Sequence, residues 1–397
     1  MKLANRLAAV KPSPTLSLNA KARALAASGK DVLSFAAGEP DFDTPAHVKD
    51  AIKAALDAGF TKYTATGGIP ELKTAIVEKL AKENAFSVTP EQVVVTTGGK
   101  QALYNAFQAL LSPGDEVVIF APFWVSYPDM VRLADGVPVI VETKSENNWT
   151  PDPAALRKAL SPRTKAVIFN SPSNPTGSVI AKEALAALAH ELRDTDAVLI
   201  TDDIYERLLY VPGPFVNVAN AAPELASRTL VVNGFSKAFS MTGLRLGYAA
   251  GPKALIAGMQ MIQDQSTSNA TSIIQKGAVA ALKGPTAPID EMVKAFSRRR
   301  LAITEGLNKI PGVKARLPDG AFYSFSDISA LIGKSYKGTK IDGSMKLSEI
   351  LLDEFLVAAV PGAPFGAEGF IRLSFATSDA NIEKGLARFA DCVSQLS

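Results

Sequence analysis

One lysine in an apolar stretch is the strongest candidate for chemistry in this 397-residue sequence. Lys237 follows a short apolar strand that breaks at Asn233 and Gly234, and small or apolar residues surround it. Burial disfavours the charged ammonium form, so a lysine in such surroundings offers more of the neutral amine. A neutral amine condenses with carbonyl groups, which makes Lys237 a candidate Schiff-base lysine. A surface lysine after a strand is the alternative that this stretch alone leaves open.

The pattern on both sides of this lysine predicts an α/β fold with a mostly parallel sheet. Apolar, β-branched runs alternate with helical segments from residue 92 onward, which is typical of a sheet covered by helices on both faces. We predict strands at 92–97, 116–120, 137–142, 165–170, 197–201 and 229–232. Ligands of such sheets bind beyond the carboxyl ends of the strands, so the polar residues there are the candidate site.

Polar or aromatic side chains follow most of these predicted strand ends. Gly99 and Lys100 come after the first strand at the start of a predicted helix, where free N–H groups and the helix dipole suit a phosphate. The later strand ends bring Trp124, Asn174, Asp202, Tyr205, Lys237 and Arg245. A planar, phosphorylated aldehyde with a cationic ring would use all of these groups. Pyridoxal 5′-phosphate is such a ligand.

In this hypothesis each side chain meets a different part of the cofactor. Asp202 pairs with the protonated ring nitrogen, because a carboxylate at the end of an apolar strand is costly without a partner. Trp124 stacks on the ring, although a core tryptophan is an equally good interpretation of that residue alone. The other contacts are Asn174 and Tyr205 at the phenolic oxygen, Arg245 and Gly99 at the phosphate, and Lys237 at the aldehyde.

Composition and motifs exclude several other kinds of site. The sequence has one cysteine and two histidines, which are too few to favour a disulfide, a zinc site or a Ser-His-Asp triad. Neither the G-x-G-x-x-G fingerprint of nicotinamide dehydrogenases nor a P-loop is present. The net charge of +3, without a long basic run, does not favour nucleic acid. Because no apolar run reaches membrane-spanning length and no leader segment is recognisable, we expect a cytoplasmic protein without a membrane partner.

Six ordered motifs resemble those of the pyridoxal-phosphate-dependent class I aminotransferases of fold type I. The likeness is strongest to the bacterial aspartate aminotransferases, some of which also use prephenate. The motifs are A-G-E-P-D-F-D-T-P, K-Y-T-A-T-G-G-I-P-E-L, V-T-T-G-G-K-Q-A-L, N-S-P-S-N-P-T-G, S-K-A-F-S-M-T-G-L-R-L-G-Y and G-F-I-R-L-S-F-A-T-S. The resemblance implies a ping-pong transfer of an amino group from aspartate or glutamate to a 2-oxo acid. It also implies a homodimer whose active sites are shared between subunits.

The resemblance adds roles to individual residues. Lys237 forms the Schiff base and shuttles the proton, while Asp202 and Tyr205 complete the catalytic set. Arg372 binds the substrate α-carboxylate, Tyr63 reaches the phosphate in the neighbouring subunit, and Gly38, Trp124 and Asn174 line the substrate pocket. Arg372 also lies in an alternating segment, 370–375, which predicts a strand near the carboxyl terminus.

Two positions depart from the family pattern. Gly234 stands where many relatives carry a serine that helps to hold the phosphate, and Ser236 is a candidate replacement. The arginine that binds the distal carboxylate in the animal-type enzymes has no clear counterpart, so Lys100 and Lys11 are the candidates. A lysine exposed at a helix start and a lysine in a loop remain the ordinary interpretations of these two.

We predict three structural parts. A large cofactor-binding domain covers 46–285, a bridging helix 286–310, and a small α/β domain 1–45 with 311–397. Residues 330–346 are predicted to form a surface loop.

Other functions remain open on the same cofactor scaffold. They include transfer from alanine or aromatic amino acids, and a β-lyase or cyclopropane-carboxylate synthase reaction. A cofactor-binding effector domain of a transcriptional regulator would need a DNA-binding segment ahead of the fold.

Overall fold

The fold is described from a computed structural model that covers residues 3–10 and 14–397. Its strands are β1 (Leu33–Ser34), β2 (Val93–Thr96), β3 (Glu116–Ala121), β4 (Val137–Glu142), β5 (Thr164–Asn170), β6 (Val198–Asp202), β7 (Thr229–Gly234), β8 (Gly247–Ala250), β9 (Lys314–Ala315), β10 (Tyr323–Asp327), β11 (Ser335–Tyr336), β12 (Thr339–Lys340), β13 (Val357–Ala358), β14 (Val360–Pro361) and β15 (Phe370–Ser374). Its α-helices are α1 (Pro14–Ala27), α2 (Ala46–Asp57), α3 (Pro70–Asn84), α4 (Gly99–Leu110), α5 (Ser126–Leu133), α6 (Pro153–Ala159), α7 (Lys182–His190), α8 (Val218–Ala221), α9 (Lys253–Asp264), α10 (Ser272–Lys283), α11 (Ala287–Asn308), α12 (Ser344–Phe355) and α13 (Asp379–Ser394). Within this part of the chain, no helix is long and apolar enough to cross a membrane.

Seven strands form the central sheet, in the order β2-β8-β7-β6-β5-β3-β4. All strands of this sheet except β8 point in the same direction, and β8 is antiparallel to both β2 and β7. Both faces of the sheet are covered, because Val231 packs into one hydrophobic cluster and its neighbour Val232 into another. The predicted α/β fold with a mostly parallel sheet is therefore confirmed.

The register of the central sheet brings its polar strand ends together. Asn170 at the end of β5 pairs with Asp202 at the end of β6, and Asp202 pairs in turn with Val232 of β7. The segment that carries Lys237 leaves β7 two residues later. Because parallel strands end at the same edge, the residues that follow them face one shared opening.

A second, four-stranded sheet has the order β14-β15-β10-β9. Arg372 lies near the middle of β15, opposite Phe325 of β10 on one side and Val360 of β14 on the other. The residues of β15 after Phe370 are buried, so Arg372 lies inside the protein rather than on a solvated face. The division of the chain into a large domain (46–285), a bridging helix (286–310) and a small domain (1–45 with 311–397) stays a prediction.

The segment predicted as a surface loop, 330–346, is more regular than expected. Residues 335–340 form the two-stranded hairpin β11–β12, and α12 begins at Ser344. Lys337 and Gly338 both have positive φ angles, 46° and 78°, as a type I′ turn requires. Tyr336 is buried and packs edge-on against Phe355, the last residue of α12. This contact holds the hairpin against helix α12.

A buried ion pair fastens helix α3 to the segment that follows β6. The ammonium of Lys79 contacts the carboxylate of Glu206, and both side chains are almost completely buried. Asn84 donates a further hydrogen bond of 2.8 Å to Glu206. Burial raises the pKa of Glu206, but Lys79 and Asn84 outweigh it, so that the pKa lies below its usual value. The pair thus fixes the residue next to Tyr205.

We expect Lys79→Met to lower the free energy of unfolding by about 3–5 kcal/mol, because it leaves the Glu206 carboxylate buried without its cation. Urea unfolding at one protein concentration measures this loss. Lys82→Met, an exposed position on the same helix, is the matched control and should change stability by less than about 0.5 kcal/mol. Equal stability of the two variants would contradict the importance of the pair.

Candidate active site

A cavity of about 300 Å³ opens at the carboxyl edge of the central sheet, beside the second sheet. Most of the residues predicted from the sequence line it, namely Gly38, Gly99, Lys100, Trp124, Asn174, Asp202, Tyr205, Ser236, Lys237, Arg245 and Arg372. Among the described residues, one predicted site residue, Tyr63, is not part of this wall. The side chain of Tyr63 is 92% exposed, and Lys11 lies outside the described residues.

Lys237 lies in the segment between β7 and β8, with its amine directed into the cavity. Its Nζ donates a hydrogen bond to the backbone carbonyl of Gly38. Among the described residues no carboxylate forms an ion pair with it. Burial lowers the pKa of Lys237 to about 8, although the charge of Glu39 opposes this shift. Close to neutral pH, an appreciable fraction of this amine is therefore uncharged and able to act as a nucleophile.

Asp202 is the last residue of β6 and is buried at the base of the cavity. Burial raises the pKa of its carboxyl group to about 6, while a hydrogen bond from Tyr127 opposes the shift. The Tyr127 hydroxyl donates to Oδ2 of Asp202 at 2.6 Å. Asn170 donates to the backbone carbonyl of Asp202 at 2.9 Å, which fixes the end of the strand. At neutral pH the carboxylate is mostly ionised and available to pair with a cation.

Arg372 contributes a buried guanidinium to the cavity wall. Its Nη1 donates to Oδ1 of Asn174 at 2.8 Å, and its Nη2 to the carbonyl of Ala36 at 2.9 Å. Its Nε is buried without a hydrogen-bond partner in the structure. Within the part of the chain that is described, Arg372 has no carboxylate partner. A buried cation of this kind needs an anion, so a ligand carboxylate is a suitable partner.

The start of α4 and the Arg245 side chain form an anion-binding corner of the cavity. Gly98, with a φ of 83°, precedes the helix, and a Cβ atom there would lie 2.5 Å from the Arg245 guanidinium. A Cβ atom at Gly247 would lie 2.4 Å from the backbone nitrogen of Gly99. Ser236 is buried beside them. Bare backbone, a helix N-terminus, a hydroxyl and a guanidinium together suit a phosphate group.

The position of Gly234 explains its departure from the family pattern. Gly234 pairs with Gly247 across the antiparallel strands β7 and β8. A Cβ atom at Gly234 would come within 3.1 Å of the Gly247 Cα and of the Leu246 carbonyl oxygen. A serine at this position would therefore be tight, and its neighbours would have to give way by a few tenths of an ångström.

Lys100 and Trp124 lie together at the rim of the cavity. The Lys100 Nζ is 4.8 Å from the centroid of the Trp124 ring. Burial and the nearby charge of Arg245 lower the pKa of Lys100. The half-buried ring of Trp124 belongs to the turn before α5, which begins two residues later.

Among the lining residues that sequence reasoning missed are Tyr127, Asn170 and Tyr323, whose polar groups form hydrogen bonds with predicted site residues. Tyr127 was visible as a polar aromatic residue three positions after Trp124, and Asn170 as the last residue of a predicted strand. Tyr323 carried no local signal, because its hydroxyl reaches the site only through the pairing of β10 with β15. No cluster of candidate metal ligands occurs within the described part of the chain.

We expect Lys237 in the protein freed of small molecules to react with acetic anhydride as an amine of pKa about 8. Because only the neutral form reacts, labelling of Lys237 should be half-maximal near pH 8. A free lysine side chain in the same reaction should reach half-maximal labelling near pH 10.4, about its ordinary pKa. Peptide mass spectrometry measures the labelled fraction at each pH. A midpoint at or above the free-lysine value would contradict the effect of burial.

Comparison with known proteins agrees with this geometry. The family described as aminotransferase class I and II matches residues 30–389. The chain is 47% identical to an aspartate/prephenate aminotransferase of Nitrosomonas europaea, covering 99% of this chain and 100% of that one. Among solved structures, it is similar to an aspartate aminotransferase of Rhizobium meliloti, with a TM-score of 0.96 and 42% identity over 100% of both chains. The aspartate aminotransferase of Thermus thermophilus with maleate gives a TM-score of 0.93 and 47% identity, covering 99% of this chain and 100% of that one. The chain thus belongs to the class I and II aminotransferases, as its motifs predicted.

Proposed function

We propose that this protein is a pyridoxal-phosphate-dependent aminotransferase that acts on aspartate or glutamate and a 2-oxo acid, with prephenate as a further acceptor. One observation carries the proposal. Lys237, with its lowered pKa, lies in the same cavity as a buried carboxylate, Asp202, and a buried guanidinium, Arg372, that lacks a carboxylate partner among the described residues. This is the set of groups needed to hold a cationic aldehyde cofactor and an amino acid side by side.

The residues of the cavity fit pyridoxal phosphate. The anion-binding corner at Gly99 and Arg245 would hold the phosphate, with Ser236 as a hydroxyl donor. Asp202 would hold the ring nitrogen, and Asn174 and Tyr205 would hold the ring oxygen. The fit is supported by the glycine backbone at 98 and 247, where a Cβ atom would crowd this corner.

The bound cofactor supplies an electron sink for the charge that develops at the substrate Cα. The chain's own groups do the rest. The neutral amine of Lys237 removes a proton from Cα and later returns one. Asp202, whose ionised form the hydrogen bond from Tyr127 favours, would hold a positive charge at the ring nitrogen. Trp124, which lines the cavity, would cover the cofactor ring and limit the access of water.

Substrate binding is assigned to two cationic residues of the cavity. Arg372 would bind the α-carboxylate, which all amino acids share, in a two-pronged contact. Lys100 would bind the distal carboxylate of aspartate or glutamate. The relative from Thermus thermophilus was solved with maleate, which carries two carboxylates, and this supports a dicarboxylate substrate. The role of Lys11 in the same contact stays a prediction.

We also propose a homodimer with shared active sites. Tyr63, assigned to the neighbouring subunit's phosphate, is 92% exposed, so its ring is free to contact another chain. Tyr104 on α4 and Met261 on α9, two helices that pack together, are large exposed residues. Such residues in one region support a covering partner. A cytoplasmic location stays a prediction.

An absorbance titration of the purified protein with amino acids tests the proposed function. After addition of pyridoxal phosphate, a visible band should appear, and aspartate should convert it to an ultraviolet band with release of oxaloacetate. A 2-oxo acid should restore the visible band. The Lys237→Ala variant is the control and should not turn over. No visible band would refute the cofactor, and a band that no amino acid converts would favour a lyase.

We expect Lys100→Met to raise KM for aspartate and glutamate at least about tenfold, because a charge-assisted contact with the distal carboxylate is lost. The variant should leave KM for alanine, which has no distal carboxylate, nearly unchanged. Steady-state kinetics with these three amino acids measures the difference. An equal effect on all three would show that Lys100 does not select the side chain, whereas Arg372→Lys should affect all three alike.

A further inference from the structure

Tyr323, at the start of β10, contacts two parts of the site that come from different sheets. Its hydroxyl lies 2.8 Å from the hydroxyl of Tyr205, which follows β6 of the central sheet. The face of its ring lies 4.4 Å from the guanidinium carbon of Arg372 on β15. Its side chain is 1% exposed and lines the cavity. One residue therefore touches both the proposed cofactor contact and the proposed carboxylate contact.

The packing leaves Tyr323 little freedom. Its ring packs edge-on against Tyr205 and is tilted against Phe322. On the other side, even a Cβ atom at Gly38 would come within 3.1 Å of its hydroxyl. Gly38 also supplies the carbonyl that accepts a hydrogen bond from Lys237. The hydroxyl thus lies between the segment of Tyr205 and the backbone at Gly38.

We propose that Tyr323 is a positioning residue that couples the two contacts. Its hydroxyl strengthens the hydrogen bond of Tyr205 to the cofactor, and its ring holds the Arg372 guanidinium in place for the substrate carboxylate. The inference rests on the proposed function, because it assigns the two contacts to cofactor and substrate.

The number of protons determines the direction of the hydroxyl pair. Tyr205 has a single hydroxyl proton. When that proton is donated to an oxygen of the cofactor, the oxygen of Tyr205 can only accept from Tyr323. Donation by Tyr323 makes Tyr205 a stronger donor, since hydrogen bonds in a chain polarise one another. The hydroxyl of Tyr323 therefore lowers the electron density on the cofactor oxygen through Tyr205.

The ring of Tyr323 has a separate task. Arg372 is buried and has no carboxylate partner within the described residues, so the aromatic face is part of what stabilises its charge before substrate binds. A desolvated contact between a cation and an aromatic ring is a substantial interaction. Without the ring, the guanidinium is free to leave the orientation that its bonds to Asn174 and Ala36 define.

Two variants separate these tasks. Tyr323→Phe keeps the ring and removes the hydroxyl. In the cofactor-loaded protein, the pKa read from the change of the visible absorbance band should therefore rise by about half a unit. KM for aspartate and alanine should change less than about threefold in this variant. Tyr323→Leu also removes the ring, so KM for aspartate and alanine should rise together by roughly tenfold. Tyr336→Phe, a buried tyrosine in the β11–β12 hairpin, is the matched control and should match wild type in both measurements.

The outcomes distinguish this inference from the proposed function. If wild-type protein shows no visible band with pyridoxal phosphate, the proposed function fails, and the inference fails with it. If wild type shows the band but Tyr323→Phe titrates at the same pH as wild type, the hydroxyl role alone is overturned. An unchanged KM in Tyr323→Leu, with thermal unfolding confirming a folded protein, overturns the ring role.

Discussion

The site depends on an amine that the fold buries without an ion pair to any of the described residues. Lys237 donates to the Gly38 carbonyl, but among the described residues it forms no ion pair, and its pKa falls to about 8. A direct salt bridge would keep the amine charged and unreactive, whereas full exposure to water would restore the pKa of an ordinary lysine. The roles proposed for the other site residues depend on this amine. In the proposed function these residues would hold a carbonyl ligand where the amine can reach it.

Two sheets must meet for the site to exist. The central sheet supplies Asp202, Tyr205 and the segment with Lys237, while the small sheet supplies Arg372 and Tyr323. Their contacts cross the cavity directly, through the hydrogen bond of Arg372 to Asn174 and the hydroxyl pair of Tyr205 and Tyr323. Any relative movement of the sheets would therefore change the proposed substrate contact and the proposed cofactor contact together. This coupling suits an enzyme that must hold both reactants before a proton moves.

The parts of the fold that were predictable are those with local signals. Apolar runs with regular spacing marked the strands, and the rule that ligands bind at strand ends was enough to group Asn174, Asp202 and Lys237 at one edge of the sheet. The hairpin around Lys337 and Gly338 was missed because lysine is an uncommon residue at a positive φ angle. Tyr323 was missed for a different reason. Its importance comes from strand pairing and from contacts between residues far apart in the chain, which periodicity does not reveal.

The most direct test of the central claim is to identify the lysine that bonds to the cofactor. The protein is incubated with pyridoxal phosphate, reduced with sodium borohydride, digested and mapped by mass spectrometry. The account predicts a phosphopyridoxyl group on the peptide that contains Lys237, and no modification at a comparable level elsewhere. Modification spread over exposed lysines, or concentrated on a lysine outside the cavity, would contradict it.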